Sequence, residues 1–175
     1  MKKLELSRDQ STLLNHLSHL PRKIVSLKGM SNAPEFVLHE LCDERCFNLS
    51  KAAFFIDNPD FNFIKGVAGF QSQEAYPADD IWQNPEQFIA HMQQAPFNQM
   101  VRGFSHESVK RTGKQQDMVE IISRAFEFEQ PAYRVWDMKH DNHGFLVYEY
   151  NGKELEGIEE HLDNSLYLLN FCPLF

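Results

Sequence analysis

His39, Cys42 and Cys46, three side chains that can ligate a soft metal, lie within one short stretch of the chain. On a helix they occupy i, i+3 and i+7, along one side. Imidazole and thiolate are the usual zinc donors, and Cys172 or a remote histidine could complete a tetrahedral set. Positions i and i+7 are two turns, roughly 10 Å, apart, too far to meet at one ion. Free cysteine is also among the most buried residue types, and Cys42 and Cys46 continue an apolar stripe from Leu38. Core thiols are therefore expected, with a metal or thiol site at His39, Cys42 and Cys46 as the alternative. The spacing is not the C-x-x-C of dithiol redox proteins.

His140, Asp141 and His143, with Asp137 and Lys139 beside them, form a second cluster. Two imidazoles among carboxylates could bind a metal or relay protons. The segment also reads as a polar hairpin tip, with Gly144 supplying a positive φ. Asp57 and Asp60 flank Pro59 and resemble a carboxylate pair for acid–base work, although Asx-turn chemistry accounts for them more simply. Asp57, His140 and His143 are thus the catalytic candidates. His16 and His19 read as exposed flanks of a first helix. The basic segment Lys110-Arg111-Thr112-Gly113-Lys114 reads as a solvated loop.

Signatures that would name a reaction are missing from the sequence. It has no phosphate-binding G-x-x-x-x-G-K-[ST], no G-x-G-x-x-G, no G-x-S-x-G, no H-E-x-x-H and no EF-hand loop. No cofactor is implied.

The elements that would carry these residues are legible from periodicity. Leu13, Leu14, Leu17 and Leu20 share a helical face behind a Ser7/Gln10 capping box, and Pro21 is expected to end that helix. A second helix begins at Asn32-Ala33-Pro34-Glu35. Residues 51–56 and 61–70 read as a hairpin around Asp57-Asn58-Pro59-Asp60, with Gly66 and Gly69 marking a bulge or a close backbone approach. Asn84-Pro85-Glu86-Gln87 opens a further helix that Pro96 breaks, and Phe97, Met100, Val101 and Phe104 repeat its spacing. Met118, Ile121, Ile122, Ala125 and Phe126 fit the amphipathic template over residues 115–126. Residues 133–138 and 145–150 read as another strand pair. Residues 153–162 favour a helix, and 166–172 a buried terminal strand. Residues 71–80 and 105–114 are expected to be mobile loops.

Strands in pairs and helices in runs indicate an α+β fold over residues 1–175, a mainly antiparallel sheet of about five strands with helices packed on it. The 175 residues suffice for one full core. Fifteen phenylalanines suggest an aromatic core or an aromatic-lined site for a small apolar ligand or a protein partner. Three cysteines, an odd number, and an N-terminus without an apolar leader point to the cytoplasm. The longest apolar runs fall short of a membrane span. The function expected is non-catalytic ligand or partner binding, in a regulatory role. The alternatives are an enzyme with dispersed His and Asp residues or a metal/thiol protein.

A formal charge of -8 disfavours phosphate backbones. Gel-shift titration at physiological salt should therefore give no tight complex with duplex DNA. A steeply salt-dependent complex would show that the 17 Lys and Arg residues cluster in space.

Overall fold

The computed structural model describes residues 8–27, 30–152 and 157–171. Five antiparallel strands, β1 (Leu49–Asn58), β2 (Phe63–Gln71), β3 (Ser105–His106), β4 (Ala132–Asp137) and β5 (His143–Tyr150), form one sheet in the order β3-β2-β1-β5-β4. The helices are α1 (Arg8–Ser26), α2 (Ala33–Cys42), α3 (Pro85–Gln94), α4 (Pro96–Arg102), α5 (Val109–Thr112), α6 (Gln115–Ala125) and α7 (Glu159–Leu166). The fold is α+β, with helices against both faces of the sheet. No helix among the described residues is long and apolar enough to cross a membrane.

The run Ala52-Ala53-Phe54-Phe55-Ile56 is apolar on consecutive residues because β1 is central and covered on both sides. Ala52, Phe54 and Ile56 join α1, α2, α3 and α7 in one core, while Ala53 and Phe55 join Phe97, Val101, Val109, Met118 and Ile122 in the other. The glycines of β2 admit α4. A Cβ on Gly66 would lie 1.7 Å from the Val101 carbonyl oxygen, and one on Gly69 would lie 2.7 Å from Val101 Cγ2. Both features foreseen for this strand occur, since the β1–β2 register also shifts between Phe54 and Phe55. Asn98, buried in α4, accepts a bond from Gly69 N (2.9 Å) and donates to the Met92 carbonyl (2.8 Å).

Several expectations are corrected. Pro21 lies inside α1, which continues to Ser26. An interior proline costs about 3 kcal/mol, but Ile24 and Leu27 beyond it are buried beside Leu13 and Leu20, each worth roughly 1.5–3 kcal/mol. The last apolar run is not a strand. α7 passes into a 3-10 turn at Tyr167–Phe171, and Leu162, Leu166 and Leu169 are buried at helical spacing. The fifth strand is instead β3, inside the segment read as a loop. Gly144 sits in β5 rather than in the turn. Its missing Cβ leaves room for the Trp136 ring, which would come within 2.2 Å of it. The positive φ values at the tip belong to His140 and Asp141, at 59° and 56°, as in the primed turns that suit hairpin twist. Neither Asn32 nor Asn84 makes a side-chain cap bond. The Ser7 cap, residues 153–156 and Cys172 lie outside the described residues.

On α6 the buried stripe is Met118, Val119 and Ile122, continued by Phe126, while Ile121 and Ala125 face outward. Glu120 and Arg124 are exposed, 3.9 Å apart. Ile122→Ala should cost roughly 2–5 kcal/mol in urea unfolding, and Glu120→Ala well under about 1 kcal/mol. The reverse order would mean that α6 presents its other face to the sheet.

Candidate functional site

Strand register assembles the site. Asp57 on β1 pairs with His143 on β5, which pairs in turn with Asp137 on β4. Cross-strand partners point to the same face, so the three side chains form one transverse row at the end of the sheet. β3 leads into α5, which lays Lys110 over this row. The Lys110 backbone N–H donates to Asp57 Oδ2 at 3.0 Å. Its Nζ lies 2.7 Å from His143 Nε2, and His143 Nδ1 lies 2.9 Å from Asp137 Oδ1.

These contacts define the imidazole. A carboxylate only accepts, so Nδ1 carries the proton shared with Asp137. The Lys110 ammonium lies over the face of the ring, 2.7 Å from Nε2 and 3.4 Å from Nδ1. His143 is buried although its partner Asp137 is exposed. Asp57 is only 3% exposed, and its Oδ1 has no hydrogen-bond partner in the structure. Asp57, Lys110, Asp137 and His143 line a cavity of about 150 Å³, with Gln115 at the start of α6 and the apolar Val109, Val135 and Phe145 as the remaining wall.

Asp57 and His143 are thus brought together, and His140 is not: it is exposed at the hairpin tip. The Asx turn expected of Asp57 belongs to its neighbour, since Asn58 Oδ1 accepts the bond from Phe61 N at 3.0 Å. Lys110 was missed. The segment read as a solvated loop is α5, and its lysine reaches the buried histidine. No local signal marks it, because the contact requires β1 and β5 to be adjacent.

His39, Cys42 and Cys46 lie elsewhere. α2 ends at Cys42, so Cys46 falls in the following turn, where its N–H donates to the Asp43 carbonyl at 2.9 Å. Both thiols are buried and free. Burial pushes both thiol pKa values up, each further raised by neighbouring negative groups. Among the described residues, no group of three or more His, Cys, Asp and Glu is placed to hold a metal. His39 and Cys42 border a larger, polar cavity of about 660 Å³. On its wall Arg45 binds both Asp43 oxygens at 2.8 Å. His39 Nε2 accepts from Tyr76 N at 3.3 Å, and its ring meets Phe70 and Phe88 edge-on. His16 is not a free surface group. It pairs with the buried Glu40 at 2.5 Å, and Trp82 donates to the same carboxylate.

The chain matches no protein-family model, no curated protein and no solved structure.

Burial lowers the His39 pKa from 6.5 to about 4, against the opposing pull of Glu40 and Asp43. Between those two values the unfolded chain takes up a proton that folded His39 refuses, so stability falls as pH drops through this window. Urea midpoints at pH 7 and pH 4.5 should fall further for the wild type than for His39→Gln. Equal falls would show that His39 titrates normally in the fold.

Proposed function

We propose that this domain binds a small polar ligand in the cavity formed by Asp57, Lys110, Asp137 and His143, as a cytoplasmic, regulatory binding module. The observation that carries this reading is the Asp57 carboxylate. A buried acceptor without a donor costs about 1–3 kcal/mol, more when charged, and such a cost is characteristic of functional sites. A ligand donor would remove it. The charged groups on the wall of the small cavity would anchor a polar group of an occupant, while Val109, Val135 and Phe145 face the rest of it. Most of the phenylalanine rings pack against one another, as Phe55 does with Phe104, Phe126 and Phe145.

The enzyme reading has its own support in the Asp137–His143 pair. A carboxylate on Nδ1 is how a catalytic base is oriented. Lys110, however, sets its ammonium against the ring 2.7 Å from Nε2, the nitrogen that would face a substrate, and so crowds it. Binding is therefore the better reading of this geometry.

The His143 ring protons provide a local NMR reporter. A panel of small amines, carboxylates, amides, polyols and amino acids should contain a class that shifts those signals saturably. Its affinity should fall at least about tenfold, or ~1.4 kcal/mol, in Lys110→Met. A panel that leaves the His143 signals unmoved would remove the binding reading. Consumption of a bound compound, lost in His143→Gln, would replace it with the enzyme reading.

A further inference from the structure

We infer that the ligand of this cavity is a small zwitterion, an amino acid of about the size of glycine or alanine, held with its ammonium at Asp57 and its carboxylate between Lys110 and the N-terminus of α6. This inference rests on the binding reading above and specifies its ligand.

The cavity wall carries groups of both signs. Asp57 supplies an anionic one: its carboxylate is buried, Oδ2 is taken by the Lys110 backbone N–H, and Oδ1 is left without a partner. An ammonium group, with three donors, can satisfy it. With Asp137 also on the wall, the site holds two carboxylates against the one ammonium of Lys110. A cationic group is therefore the charge it lacks.

The same wall also carries groups that can meet an anion. Gln115, the first residue of α6, lines the cavity. α6 has 11 residues, and no side chain caps its N-terminus. Unpaired N–H groups and the helix dipole favour an anion at such an end. Lys110 Nζ reaches the same cavity, where it lies 2.7 Å from His143 Nε2. A ligand carboxylate offers this ammonium a charge-assisted bond, roughly twice as strong as a neutral one.

Size then limits the ligand. About 150 Å³ is the space of roughly five liquid waters. A ligand held within this space has its two charged groups separated by few atoms and carries at most a small side chain there. The apolar part of the wall, Val109, Val135 and Phe145, suits a hydrogen or a methyl group there.

Isothermal titration of the full chain with L-alanine, glycine, ethylamine and propionate tests the assignment, since the last two each carry one half of alanine. Alanine or glycine should bind more than tenfold tighter than either half. Asp57→Asn should weaken ethylamine and leave propionate unchanged, and Lys110→Met should do the converse. Lys110 is exposed, so its variant keeps the test valid if Asp57→Asn fails to fold, as judged by circular dichroism. Ethylamine or propionate binding as tightly as alanine would overturn the zwitterion. Binding of another class from the wider panel, with amino acids silent, would overturn it and leave the binding reading in place. Silence of the whole panel would end both.

Discussion

Burial of β1 on both faces is the constraint from which the rest of the architecture follows. A strand covered on both sides must be apolar at consecutive positions, and Ala52 through Ile56 meets that requirement. Its neighbours on either edge must then satisfy its backbone, and β2 and β5 do so along nearly its whole length. One helical layer has to cover each face. Near its end the strand carries a carboxylate, Asp57, that is buried like the core residues before it. A charge there is costly, and part of that cost is offset by the N–H of Lys110.

The second layer is held close to the sheet by what β2 lacks. Gly66 brings the backbone of α4 to a distance that any side chain would forbid, and Gly69 leaves room for the Val101 and Phe97 side chains. Two polar contacts fix its angle, from Gly69 to Asn98 and from Gly66 N to the Phe104 carbonyl at 3.0 Å. The chain leaving α4 is therefore set down along β2 as β3, and α5 follows over the end of β1 and β5. Lys110 owes its place to this sequence of contacts. At the other end of the same layer, Lys51 from β1 donates to the carbonyls of Phe126 and Glu127, past the end of α6, and lies near the Phe97 and Phe128 rings. α6 is thereby anchored beyond its C-terminus, and its uncapped first turn is left beside the cavity.

The two cavities differ in how their polar groups are used. Around the larger one, Arg45 and Asp43 neutralise each other and His39 is held neutral by burial, an arrangement that stabilises the link between α2 and the loop before α3. Around the smaller one, pairing is incomplete: the histidine bonds Asp137 through Nδ1, yet the adjacent buried carboxylate keeps an oxygen without a partner. Incomplete pairing next to a cavity is what distinguishes a place for a ligand from a structural ion network.

Patterns of one chain segment determined most of the elements. The apolar stripe of α6, the proline-led starts of α2, α3 and α4, the two hairpins and the glycine approach on β2 are all set by residues within a few positions of one another. Asp137 and His143 could likewise be seen to flank one hairpin tip. The errors came where a distant contact outweighed a local preference: burial of Ile24 and Leu27 carries α1 through Pro21, and the Trp136 ring, not a turn, requires Gly144. The site belongs to this second kind. Asp57 meets His143 only because β1 pairs with β5, and Lys110 reaches both only because α4 is seated on glycines. Side-chain periodicity encodes which face of an element is buried. It does not encode which element lies opposite, and that choice, made by the packing of the whole core, is what placed a lysine, a histidine and two carboxylates around one cavity.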